Sequence, residues 1–209
     1  MADSDVELPQ LYLITPSEVE LMTYPDILGA CLDAAEVGCV RLALGTKDED
    51  VIARTADALR EVTHARDVAL VIDTHIQLVE RLGLDGVHLT DGARSVKKVR
   101  KELGDDAIVG SFCGNSRHDG MTAGELGVDY VAFGPCGQTS LGDGSQAEVE
   151  LFEWWTMMIE VPVVAEGALT KELITKISPH TDFFGIGNEI WSAEDPIAAF
   201  AELRSAIVA

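Results

Sequence analysis

No stretch of the sequence approaches the roughly 20 consecutive apolar residues that a membrane-spanning helix needs. The opening residues, Met1–Leu8 (MADSDVEL), are acidic where a secretion signal would be basic. A cytoplasmic location is therefore the expectation. Proline is scarce at 7 residues and no low-complexity run breaks the chain, which argues against long linkers and disorder. The four cysteines, Cys31, Cys39, Cys113 and Cys136, lack C-x-x-C spacing. That removes a zinc site and a disulfide framework and leaves four expected free thiols. Positive charge is also short, with 15 basic residues against 36 acidic ones and a formal charge of −21. Such a surface repels nucleic acid and anionic membranes, so neither is an expected partner.

What is present is an ordered chain of 209 residues, 47% hydrophobic, long enough for one large domain. After a short N-terminal segment, residues 1–9, short apolar runs alternate with amphipathic stretches through residues 10–209. The runs are Leu11–Ile14, Val40–Leu44, Val68–Ile72, Gly86–Leu89, Ile108–Ser111, Tyr130–Phe133, Val161–Ala165 and Phe183–Ile186. Helices read between them, as at Asp48–Val62, Val96–Leu103 and Ala193–Val208, where acids open the first and apolar residues recur at helical spacing. Eight β/α units in unbroken succession predict a single (β/α)8 TIM barrel. An open doubly wound sheet is the other arrangement of such units, and no G-x-G-x-x-G follows the first run to support it.

In a barrel the reactive face is built by the loops after the strands, which directs attention to a few segments. Asp73 and His75 follow the third run, Asp91 the fourth, Asn115 and His118 the fifth, and Thr139 the sixth. Small residues follow the last two runs, at Gly167 and at Gly187 with Asn188. Loops of that kind commonly hold a phosphate group in barrels. His88 lies within a strand, where a satisfied structural role is the expectation. Cys113 and Cys136, with no assured base beside them, read as small packing residues. The Trp154–Trp155 pair reads as outer packing or a subunit contact, which leaves a homo-oligomer open. The basic cluster Arg94, Lys97, Lys98, Arg100 and Lys101 reads as a solvated helix face.

Leu84–Leu89 (LDGVHL), Gly127–Pro135 (GVDYVAFGP) and Val163–Ala168 (VVAEGA) are similar, in order and spacing, to the thiamine phosphate synthase/TenI family. The likeness runs from Leu11 to near the C-terminus. It implies a TIM barrel that binds small phosphorylated thiamine precursors, joining an aminopyrimidine diphosphate to a thiazole phosphate with Mg²⁺ and cationic side chains around the leaving pyrophosphate. Against that pattern the chain departs at several points. Where the family has Gln-x-Arg-x-Lys, this sequence reads Arg41-Leu42-Ala43-Leu44-Gly45. Its Asn-Asp-Arg becomes Asp73-Thr74-His75, and its Gly-Gln-x-Asp becomes Thr90-Asp91-Gly92-Ala93. Its Thr-x-Thr-Lys becomes Thr139-Ser140-Leu141-Gly142. Three cations are absent, and Asp73 with Asp91 is what remains for a displaced magnesium site. The TenI branch implies a histidine near Asn115, and His118 is the neighbouring imidazole.

Three readings follow. The first is a diverged family member binding a small phosphorylated ligand through Thr139, Gly167, Gly187 and Asn188, with the synthase motifs largely replaced. The second is a binding or regulatory homologue without catalysis. In the third the chain is an enzyme of different chemistry, with Asp73, His75, Asp91 and Asn115 around one pocket, whereas His118 is the general acid/base candidate of the TenI likeness.

Overall fold

Eight parallel strands pair in sequence order and close on themselves, the last against the first. They are β1 (Gln10–Ile14), β2 (Val37–Leu42), β3 (Ala69–Asp73), β4 (Gly86–Leu89), β5 (Ile108–Phe112), β6 (Tyr130–Phe133), β7 (Val163–Glu166) and β8 (Phe183–Ile186). The computed structural model describes residues 8–208. Residues 1–7, most of the expected N-terminal segment, and Ala209 lie outside the described residues. The architecture is the TIM barrel that the eight apolar runs predict.

Both faces of each strand are covered, which is why the runs read as continuous rather than alternating. Leu11, Leu13, Val40, Leu42, Leu70 and Ile72 pack in the layer beneath the helices. The residues between them turn into the barrel, where Tyr12, Cys39, Val71, Tyr130 and Val164 form a second core. The surrounding helices are α1 (Tyr24–Ala34), α2 (Glu49–His64), α3 (Ile76–Leu82), α4 (Val96–Leu103), α5 (Arg117–Glu125), α6 (Val149–Met158), α7 (Lys171–Ile177), α8 (Asn188–Trp191) and α9 (Pro196–Arg204). Asp48 caps α2 by accepting the amides of Asp50 and Val51 at 3.0 and 3.3 Å.

Several boundaries differ from the sequence reading. The expected helix over 193–208 begins only at Pro196, because Asp195 accepts the amide of Ala198 and proline occupies the first turn. A separate turn of helix, α8, precedes it. Strand β2 starts at Val37, three residues earlier than expected, and β7 starts at Val163, beyond Pro162. Trp155 is buried against Phe133 and donates its indole N–H to the Val161 carbonyl, as outer packing requires. Arg100 leaves the expected solvated cluster: it donates to the carbonyls of Gly127 and Ala107, each at 2.6 Å, and pairs with Asp129. All four cysteines are free and buried.

One local device recurs before three of the strands, β4, β6 and β8. Asp85, Asp129 and Asp182 each stand immediately before β4, β6 and β8. The backbone N–H of each donates to the carbonyl of Leu70, Val109 or Val163 on the preceding strand. The carboxylate of each then accepts the amide of that same residue, at 2.7, 2.7 and 2.8 Å. These two-bond clamps satisfy strand-end amides that have no ladder partner. They explain why Asp-marked turns were visible at Leu84-Asp85-Gly86 and Val128-Asp129-Tyr130.

The clamp at Asp182 can be measured. Replacing Asp182 with Ala leaves the Val163 amide unpaired, which costs about 1–2 kcal/mol. The expected result is a lower urea midpoint with an unchanged slope, while Asp105→Ala, at an exposed position, moves it little. Equal midpoints for the two variants would reject the clamp.

Candidate functional site

The inward-facing residues change character toward the strands' C-terminal ends. Deep in the barrel they are Tyr12, Cys39, Val71 and Val164; above these stand Arg41 on β2, Asp73 on β3, His88 on β4 and Glu166 on β7. Arg41, His88 and Glu166 are buried, and the Glu166 side chain is only 1% exposed. A buried charge requires a partner, and Arg41 and Glu166 are partners to each other.

Arg41 is the centre of this layer. Its Nη2 lies 2.9 Å from Glu166 Oε2 and its Nε 3.4 Å from Asp73 Oδ1. Neither approach runs along an N–H, so these are charge contacts, and Arg41 Nε, Asp73 Oδ1 and Glu166 Oε2 have no hydrogen-bond partner among the described residues. Nη1 donates to Glu166 Oε1 at 3.4 Å and to His88 Nε2 at 2.8 Å. Because a guanidinium only donates, His88 Nε2 must accept and the imidazole proton must sit on Nδ1. Nδ1 donates to the Tyr130 hydroxyl at 2.9 Å, which lies 2.7 Å from that of Tyr12. Burial, seconded by Arg41, holds the His88 pKa well below the usual value, so the ring stays neutral. Burial also works against charge on Arg41, but Glu166 and Asp73 raise its pKa above the usual one. At Asp73, burial pushes the carboxyl up to about 6 against the pull of Arg41, with Glu166 adding to the rise.

Above this floor opens a cavity of about 430 Å³ at the strands' C-terminal ends. Thr15, Arg41, Ala43 and Asp73 line one side, and Thr139–Leu141, Gly167, Gly187, Asn188 and Glu189 the other. The β6 and β7 loops are pressed together: Cys136 and Gly137 both donate to the Gly167 carbonyl. A Cβ at Gly137 would lie 2.3 Å from the Ala168 carbonyl oxygen, so only glycine fits there. Ala168 adopts a left-handed φ of 51°, a strained backbone at the cavity wall. The β8 loop is anchored by Trp191, whose indole N–H donates to the Ile14 carbonyl at 2.6 Å.

The structure brings together Asp73, Thr139, Gly167, Gly187 and Asn188, and disperses the other expected site residues. Asp91 and Asn115 line a neighbouring cavity of about 440 Å³ with Thr90 and Asp119. Asp91 accepts the Ser95 hydroxyl at 2.6 Å, and Asn115 donates to the Gln146 carbonyl. His75 lines a third cavity with Glu49 and Arg81, its Nδ1 turned back onto the Asp73 carbonyl at 2.7 Å. His118 is exposed on α5. The four residues Asp73, His75, Asp91 and Asn115 therefore do not surround one pocket. Asp73 and Asp91, the pair expected for magnesium, line different cavities. Among the described residues, no group of three or more His, Cys, Asp or Glu side chains is placed to share one metal ion. Glu166 and Glu189 are not among the expected site residues, although Glu166 directly precedes Gly167 and Glu189 directly follows Asn188. Their signal was an acid interrupting an otherwise small and apolar turn.

A closed parallel barrel with its most polar interior layer beneath a cavity at the strands' C-terminal face defines the class: a TIM barrel with the placement of an enzyme-type site. A family model described as thiamine monophosphate synthase matches residues 11–183. The chain belongs to that family. It is 38% identical to the thiamine-phosphate synthase of Rhodospirillum centenum, over 93% of this chain and 96% of the relative. It is 29% identical to that of Haloarcula marismortui, over 99% and 98%. Among solved structures, a thiamine phosphate pyrophosphorylase from Pyrococcus furiosus superposes with a TM-score of 0.81 at 20% identity, covering 94% of each chain, which supports the fold.

The Asp73 carboxyl gives a pH test. Its folded pKa, about 6, lies above the ordinary 3.8, so between these values the folded chain binds more protons than the unfolded one. Its contribution to stability is complete below pH 4 and is lost as pH rises through about 6. Asp73→Asn removes that dependence, and the variant should gain about 2–3 kcal/mol over the native chain at pH 8, the gain shrinking toward pH 4. Parallel pH–stability curves for the two proteins would show that Asp73 does not titrate this way.

Proposed function

We propose that this protein binds a small phosphorylated, thiamine-precursor-like ligand in the 430 Å³ cavity, and that it performs the synthase coupling weakly or not at all. The ligand's phosphate is assigned to the side formed by Thr139, Gly167, Gly187 and Asn188, and the rest of the molecule lies over Asp73 and Arg41. Family membership supports the ligand class, since the curated relatives are thiamine-phosphate synthases. The observation that carries the second half is the state of Arg41. It is the single cation lining this cavity among the described residues, and Glu166 and Asp73 hold it.

A pyrophosphate leaving group concentrates negative charge that must be neutralised in the transition state. Ala43, Gly45 and Gly142 offer none where the family's pattern has cations. Losing one electrostatic stabiliser costs about 3–4 kcal/mol, so three losses lower the rate by many orders of magnitude even without additivity. A second reading is favoured by one feature alone: the Asp73 carboxyl, with its pKa near 6, is poised to exchange a proton with a ligand near neutrality. In it, Asp73 is the acid/base group, while His75, Asn115 and His118 act from the neighbouring loops only after rearrangement.

Titrating the purified chain with thiazole phosphate should release heat of binding, and adding the aminopyrimidine diphosphate with Mg²⁺ should give little or no thiamine phosphate. Turnover at an ordinary rate, about 1 per second or more, would overturn the charge argument. Absence of binding to either precursor would overturn the ligand class.

A further inference from the structure

The β7 and β8 loops carry an anion of their own. Glu189 Oε2 accepts the Gly187 amide at 2.8 Å, and Oε1 accepts the Leu169 amide at 3.1 Å. One carboxylate thus bridges two loops whose residues are 20 positions apart, with Gly187 and Glu189 on the wall of the 430 Å³ cavity and Leu169 buried. Local helix capping accounts for the first of these bonds, since Gly187 immediately precedes α8. It does not account for the second, because Leu169 belongs to the β7 loop and contributes nothing to that helix. The geometry is that of two backbone donors converging on a single pair of acceptor oxygens, the requirement of a phosphate seat.

We propose that Glu189 is a built-in competitor for the ligand's phosphate: its carboxylate occupies the anion seat between the β7 and β8 loops, and a phosphorylated ligand must displace it to bind. This rests on the reading above that the ligand carries a phosphate. The two anions cannot share the seat, because each amide has one hydrogen and like charges at contact distance repel. The surroundings sharpen the competition. The nearest cation lining the cavity, Arg41, is engaged by Glu166 and Asp73, so no free positive charge relieves a second anion. The seat itself stays in place when the carboxylate leaves, because Trp191 ties the β8 loop to the Ile14 carbonyl, and the Gly167 carbonyl accepts from Cys136 and Gly137. Glu189 is consequently a specificity-determining residue. Ligands whose phosphate makes further contacts, as to Thr139, can displace it, and a bare phosphate binds poorly.

The test is a titration of the full chain with inorganic phosphate at pH 7.5, followed by calorimetry and by the amide resonances of Gly187 and Leu169, for the native protein, Glu189→Ala and Glu189→Gln. The Ala variant should bind phosphate at least about tenfold more tightly, the scale of one freed charge-assisted contact, and its Gly187 and Leu169 resonances should move with saturation. The Gln variant should fall between, since its neutral amide oxygen still accepts one bond but adds no repulsion. A melting temperature close to the native one establishes that the variants are folded. Equal affinities with shifts at both amides in all three proteins would remove the competitor and leave the phosphate reading standing. Tighter binding that leaves these amides unmoved would also remove it. No binding to any of the three would overturn both the competitor and the assignment of phosphate to these loops.

Discussion

A guanidinium placed inside a barrel has to be neutralised where it stands, and that requirement at Arg41 organises the upper interior. Glu166 comes from the far side of the sequence, 125 residues away, to meet it. His88 must then present a lone pair to the same group, which fixes its proton on the other nitrogen and directs that proton to Tyr130. Tyr130 in turn needs room in the lumen. Gly110 supplies it, because a Cβ there would lie 1.9 Å from the Tyr130 ring. A single buried cation thus determines the side chains of four strands. It also sets the chemistry of the cavity floor, which offers two carboxylates and an already occupied base.

The barrel was legible because its signals are local. Apolar runs of four or five residues, broken by Asp- or Gly-marked turns, needed no knowledge of distant contacts, and the clamps of Asp85, Asp129 and Asp182 are the physical source of the Asp-marked turns. Boundaries slipped where one residue outweighs a pattern, as when Pro196 opens α9 within what reads as a longer apolar-periodic stretch. The site was less legible because its key partnership is non-local. Spacing shows that Arg41 stands where the family has glutamine, yet nothing in spacing says that Glu166 will turn inward to hold it.

The dispersal of Asp73, His75, Asp91 and Asn115 has a geometric cause. Asp73 is the last residue of its strand and keeps the inward parity of Ala69 and Val71, so it reaches the floor. Thr74 follows with a left-handed φ of 55°, which reverses the chain and carries His75 outward to the start of α3. Asp91 and Asn115 lie beyond the ends of β4 and β5, where adjacent loops make a cavity of their own. Order along the chain gives neighbouring loops but not a common focus. Thr139, Gly167, Gly187 and Asn188 do meet, because the β6 and β7 loops are hydrogen-bonded to each other and the β8 loop follows a strand paired with β7 and is tied down through Trp191.

The aspartate clamps also divide the molecule into two ends with different obligations. They sit where strands begin, at the rim opposite the 430 Å³ cavity, before β4, β6 and β8. The β3–β4, β5–β6 and β7–β8 pairings are thereby tied at the rim away from the 430 Å³ cavity. Loops at the other rim can be exchanged, lengthened or recharged with little cost to the fold, so one scaffold can be passed from one chemistry to another by rewriting its upper edge alone. In protein engineering terms, the lower rim is the chassis and the upper rim the interchangeable tool.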